Sequence, residues 1–213
     1  MGQKVNPIGF RLETTKNNHE WQSSWYASKA KYGLYLLEDK KIRDYLQKKF
    51  SGAGIVAVRI NRSAKKVKLT LIVSRPGLVI GRGGKELETI KTEVQKSQSK
   101  LLGKPAIEIQ VEEFKHPDLS AKLVAEKIAF QLAKRMPHRR VVLSAMEKCM
   151  AEGAKGIKIV LGGRINGAEI SRREKFYQGK VPLSTIRSFI DYADCPSLTR
   201  SGYIGVKVYL CLT

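Results

Sequence analysis

Four residues constrain this chain more than any others: Gly81-Arg82-Gly83-Gly84, a glycine turn between a short apolar run and an amphipathic stretch. Glycine adopts positive φ at little steric cost and lets another backbone come close. Leu78-Val79-Ile80 leads into the turn after a break at Pro76-Gly77. Leu87, Ile90 and Val94 recur at helical spacing beyond it, from about Lys85. Two nucleotide motifs fail at this place. A P-loop requires Lys then Ser or Thr after its last glycine, and a glycine five residues before it. Here Glu86 follows Lys85, and Val79 holds the earlier position. A dinucleotide fingerprint needs a third glycine where Glu86 stands.

What remains is a G-x-x-G turn between two helices, the nucleic-acid clamp of KH domains. The glycines remove Cβ atoms so that a sugar-phosphate chain can approach. The following helix directs its N–H groups and positive dipole end towards it. Arg82 and Lys85 add cations, and Val79 and Ile80 would line the floor beneath bases. The plain alternative is a tight turn with no ligand. Gly153-Ala154-Lys155-Gly156 has the same spacing, but it follows one helical stretch and precedes a strand, so it reads as a helix stop.

The elements around the first turn fit an α+β domain. A helix is expected from Ser28 to Phe50, with Leu34, Leu37, Ile42, Tyr45 and Leu46 as its apolar stripe. Ile55 to Ile60 and the alternating run from Val67 to Val73 predict a hairpin across a basic turn at 61–66. Ile107, Ile109 and Val111 alternate in a third strand. His116-Pro117-Asp118 marks a boundary. Beyond it come helices over Leu119 to Met136 and Arg139 to Glu152. Strands follow over Ile157–Leu161, Ala168–Gln178, Ile186–Tyr192 and Tyr203–Leu210, so the second half is an α+β layer of two helices and four strands. The organisation predicted is an arm over 1–18, a first domain over 19–115 and a second over 116–213.

Charge bears on the partner. Forty Lys and Arg stand against 19 Asp and Glu, a net +21. A compact chain so charged repels itself, and a polyanion would offset that. The 42% hydrophobic content is enough for a globular core. No apolar run approaches the ~18 residues of a membrane span. The N-terminus lacks an apolar signal stretch, and Asn6 replaces the Ser or Thr of a myristoylation start. Cys149, Cys195 and Cys211 are odd in number and widely spaced, against both a disulfide framework and a CxxC zinc site. Residues 1–18 lack periodicity and read as a basic, extended arm, with a disordered tail as the alternative on composition alone.

Several stretches together resemble a known family. They are Met1-Gly2-Gln3-Lys4-Val5-Asn6-Pro7-Ile8-Gly9-Phe10-Arg11, Arg75-Pro76-Gly77-Leu78-Val79-Ile80-Gly81, Gly153-Ala154-Lys155-Gly156-Ile157-Lys158, Gly167-Ala168-Glu169-Ile170-Ser171-Arg172, Gly179-Lys180-Val181-Pro182-Leu183, Ile190-Asp191-Tyr192 and Gly205-Val206-Lys207-Val208. They resemble the universal KH-containing ribosomal protein family, number three of the small subunit, in its bacterial or organellar form. The resemblance implies a type II KH domain followed by an α2β4 domain. It also implies a place in the head of the small subunit, at the mouth of the channel through which mRNA enters.

The partners so implied are small-subunit rRNA, mRNA, and the neighbouring head proteins numbers ten and fourteen, with no membrane and no homo-oligomer. The implied compartment is the cytoplasm, or an organellar matrix or stroma. For rRNA the resemblance implies Gly2, Gln3, Lys4, Asn6, Pro7 and Arg11 of the arm, and Arg164, Arg172, Arg173 and Lys175 of the second domain. Arg139 and Arg140 match the family's mRNA-facing basic pair. A third basic residue, common one turn later, is here Leu143. Bacterial members often carry a basic tail after the last strand, and no tail function is expected of a chain ending at Thr213.

No catalytic residue, metal site or cofactor is expected. His19, His116 and His138 are isolated, and no carboxylate pair stands in a recognisable frame. Two rivals to a structural ribosomal protein stay open on sequence: a lyase using one activated lysine, and a free KH-type regulator of mRNA.

Overall fold

Alternation and helical periodicity each build one layer in each half of the chain. The computed structural model describes residues 4–12, 21–63, 66–97 and 106–212. These fall into two units: the described residues of 20–115 form one, and those of 116–213 form the other together with residues 4–12.

In the first unit, α2 (Lys29–Lys49) precedes β2 (Ile55–Arg62) and β3 (Lys66–Val73). Then come α3 (Pro76–Ile80), α4 (Lys85–Ser97) and β4 (Ala106–Glu113). A two-residue strand, β1 (Ser23–Ser24), completes a sheet of order β1-β2-β3-β4. β2 and β3 are antiparallel, whereas β4 runs parallel to β3 with Val67 opposite Ile107 and Leu71 opposite Val111. Parallel neighbours need a crossover, and the stretch carrying α3, the glycine turn and α4 supplies it. Val67, Leu69, Leu71 and Val73 are buried together with Ile42, Leu46, Val79, Ile90 and Val94.

The expected stripe of α2 is wrong in its first half. Leu37 is exposed, and Glu38 and Asp39 are buried instead. The cause lies at the end of β2. Arg62 donates from Nε to Asp39 at 2.8 Å and from Nη1 to Glu38 at 3.0 Å. Asp39 also accepts from Ser23 Oγ and Trp25 Nε1, both at 2.8 Å. The expected basic turn is correspondingly shorter, because Asn61 and Arg62 belong to β2. Removing one charge from this network leaves another buried without its partner, at about 3–5 kcal/mol.

In the second unit, α5 (Ala121–Ala133) and α6 (His138–Ala151) cover one face of an antiparallel sheet. Its strands are β5 (Gly156–Gly163), β6 (Arg172–Gly179), β7 (Ile190–Thr199) and β8 (Gly202–Cys211), in the order β6-β5-β8-β7. Ile157, Ile159 and Leu161 of β5 and Ile204, Val206, Val208 and Leu210 of β8 point at Val124, Ile128, Val142 and Met146. Helices thus pack on a sheet in both halves of an α+β protein. β6 begins later than expected, at Arg172, and β7 both starts and ends later than expected, spanning Ile190–Thr199.

The N-terminal segment is not extended throughout. Asn6 accepts from Ile8 N at 2.9 Å and caps α1 (Pro7–Arg11), whose first residue is proline. Gly2 and Gln3 lie outside the described residues.

Candidate nucleic-acid interface

The glycine turn has the geometry a backbone clamp needs. Gly81, Gly83 and Gly84 have φ of +69°, +63° and +78°. A Cβ on Gly81 would sit 2.7 Å from Glu86 Cγ, whereas one on Gly83 or Gly84 would meet nothing within 4 Å. Gly81 is therefore held by its neighbours, and the next two glycines open on space that a ligand can occupy. Arg82 and Lys85 are exposed on this side. The expected floor needs correction. Val79 is fully buried in the core of the first unit, so it cannot touch a base. Leu78 and Ile80 are the exposed apolar residues before the turn. Glu86 and Glu88 occupy the first turn of α4, where carboxylates suit the helix dipole and offset its attraction for phosphate.

The second copy of the spacing is a helix stop, as read. Gly153 has φ +99°, its N–H donates to Met150 O, and Ala154 N donates to Cys149 O.

The denser basic surface lies on the second unit's sheet, on the face away from α5 and α6. Strand pairing places Lys158 between Tyr177 and Tyr209, and Val160 between Lys175 and Lys207. Arg173 stands opposite Gly162 on the same face, and Tyr192 opposite Tyr209. Lys158 Nζ lies 5.7 Å from the Tyr209 ring centroid, and the Tyr192 and Tyr209 rings are 4.9 Å apart. Partial burial, then the ammonium groups of Lys4 and Lys175, push the Lys158 pKa down. The N-terminal segment therefore adds its cation to this face. Burial and Asp194 push the Tyr192 phenol up to about 12, so it stays neutral. Cations interleaved with neutral aromatic rings match what single-stranded nucleic acid binds: phosphates pair with the former and bases stack on the latter.

The expected quartet of the second domain does not stay together. Neighbouring residues in a strand point to opposite faces, so Arg173 and Lys175 share the tyrosine-bearing face while Arg172 does not. Arg172 Nε pairs with Glu174 Oε1 at 2.9 Å. Glu174 Oε2 lies 2.8 Å from Nε2 of the buried His138, whose Nδ1 is 3.0 Å from Asn166 Oδ1. Burial works to raise the Glu174 carboxyl pKa. The His138 hydrogen bond and the charges of His138, Arg172 and Arg139 outweigh it and hold it below the ordinary value. Arg164 leaves the sheet entirely and donates from Nε to Ala168 O at 2.8 Å.

Arg11 differs most from expectation. It is 2% exposed, and its guanidinium donates to the carbonyls of Pro7, Pro182, Leu183 and Thr185. It anchors α1 to the second unit. Pro7 is buried as well, whereas Lys4 and Asn6 are exposed. Arg139 and Arg140, in the first turn of α6, are both exposed. Lys134, with Nζ 4.2 Å from the Phe130 ring centroid, and Arg135 extend this exposed basic corner. Sequence reading missed Lys158, Lys207 and the three tyrosines. Alternation within β5 signals which way Lys158 faces, but only the strand order shows which neighbours share that face.

Comparison with known proteins gives two family matches. Residues 41–119 match the KH domain, and residues 128–210 match the family described as ribosomal protein S3, C-terminal domain. Over 210 residues, 99% of this chain, it is 46% identical to small ribosomal subunit protein uS3 of Persephonella marina, covering 89% of that protein. It is 48% identical over 210 residues to the uS3 of Protochlamydia amoebophila, covering 94%. The uS3 of Polynucleobacter asymbioticus is 45% identical and 74% covered.

Proposed function

This chain belongs to the ribosomal protein S3 family, and on that premise we propose that it anchors small-subunit rRNA and guides incoming mRNA in the subunit head. The family's members are structural components of the ribosome and not enzymes. A structural role in the small subunit follows from the family, and binding to rRNA is implied with it.

The rRNA reading is carried by the tyrosine-bearing sheet face, with Lys158, Arg173, Lys175 and Lys207 alongside Tyr177, Tyr192 and Tyr209. Lys4 joins the same field. The proposed mRNA-facing groups are Arg139 and Arg140 with Lys134 and Arg135 beside them. Lys134 and Arg135 offset the cation that is absent at Leu143. A cationic corner favours separated, phosphate-rich strands without ATP or covalent chemistry. The glycine turn, with Arg82 and Lys85, is proposed as a guide for a passing strand. Proteins ten and fourteen of the same subunit are the proposed neighbours, and cytoplasmic ribosomes the proposed location.

Sedimentation of a cell lysate tests the reading. The chain is expected to travel with small subunits. A mostly free pool would refute it and favour a free regulator of mRNA.

A further inference from the structure

A cleft of about 460 Å³ opens within the second unit, between the turn after α5, the loop after β5 and the β7–β8 turn. Its size suits a small ligand. Leu161, Ile165 and Ile204 close it from below and are buried in the core, and Met136 and Pro137 form its exposed apolar wall. Its rim carries Arg135, Arg164 and Arg200. Among the described residues, no carboxylate lines it. Arg164 bridges two of the walls, donating from Nε to Ala168 O and from Nη1 to Ser201 O at 3.5 Å.

The backbone at the cleft is unusual in a second, independent way. Among the described residues, the non-glycine positions with left-handed φ are Arg135 at 60° and Asn166 at 56°, and both line this cleft. Arg135 ends α5 where glycine is the ordinary choice. Its N–H donates to Leu132 O, and Met136 N donates to Gln131 O across it. A side chain with a Cβ is strained there. Such strain concentrates at ligand sites. Asn166 is held by His138 Nδ1.

We propose that this cleft binds an unpaired nucleotide of RNA, its phosphate on Arg135, Arg164 and Arg200 and its base against Met136 and Pro137. An arginine rim matches phosphate oxygens in pairs and stacks on planar bases. An exposed apolar wall does nothing for a bare phosphate but suits a base. The proposal rests on the RNA-binding reading above and gives it a specific pocket.

The test uses the full-length chain and backbone amide NMR. Titration with adenosine 5′-monophosphate at constant ionic strength is expected to shift Asn166, Gly167 and Ser201. It should bind at least fivefold more tightly than inorganic phosphate or a glutamate-rich peptide. Arg164→Gln with Arg200→Gln should weaken it at least tenfold. Arg135→Gly gives the sharper check, because it should raise the melting temperature while weakening the nucleotide; a purely structural arginine would not weaken it. No shift at those amides, or equal binding of phosphate or of the peptide, overturns the proposal. If those amides are silent while the chain still binds a single-stranded RNA in a salt-dependent way, the cleft alone is wrong. If that RNA does not bind at all, the underlying reading falls with it.

Discussion

The glycine turn of the first unit and the tyrosine-bearing sheet face of the second both present cations, but by opposite means. The turn is built from absent side chains: Gly83 and Gly84 open on space, with Arg82 and Lys85 beside them and Glu86 and Glu88 close behind. The sheet face is built from side chains in register, with three lysines and an arginine set among three tyrosines. A turn can seat a strand at one point. A sheet places charges and rings at strand spacing and can hold several nucleotides at once. From this difference we propose that the motif most visible in the sequence is not where the most binding free energy resides.

The comparison can be broken most readily at the sheet. Lys158→Gln, Lys175→Gln and Lys207→Gln together remove three phosphate partners. At ~0.7 released counterion each, single-stranded RNA should bind about a hundredfold more weakly at 0.1 M salt, and the slope of log K against log salt should fall by about 2. An unchanged slope would place the phosphates elsewhere. At the turn, Arg82→Asp with Gly83→Asp should weaken RNA by about tenfold, less than the sheet variant despite an equal change in charge. An effect as large as the sheet variant's would reverse the ranking.

A smaller effect is expected at the exposed corner of α6. Arg139→Ala with Arg140→Ala should slow translation of strongly structured messages by roughly threefold, about 0.6 kcal/mol, and leave subunit assembly intact. Equal slowing of unstructured messages would refute the unwinding role. Glu174→Gln separates support from binding. It should cost about 1 kcal/mol of stability at neutral pH and leave RNA affinity within twofold. Glu174 is held below the ordinary 4.5, so its contribution is present above that pH. It is lost as pH falls through the folded value, and the wild-type and variant melting temperatures should converge there.

Much of this fold was legible because burial follows period. Val67, Leu69, Leu71 and Val73 alternate and are all buried; Val124, Ile128 and Leu132 repeat every four residues and are buried too. What was not legible depended on partners distant in sequence. Asp39 is buried only because Arg62, Trp25 and Ser23 converge on it. Arg11 looks like an RNA contact in the sequence, yet it meets carbonyls some 170 residues away, at Pro182, Leu183 and Thr185. Arg172 and Arg173 are adjacent in sequence and part company by strand alternation alone. Val79 belongs to the core and Leu78 to the surface because α3 is one short turn whose inward side admits only one of them.

The most direct test of the central claim is crosslinking within intact small subunits, with the crosslinked residues mapped by mass spectrometry. Most rRNA crosslinks are predicted on 158–177 and 207–209, with few on 78–85. A map dominated by 78–85, with the sheet peptides bare, would contradict the claim.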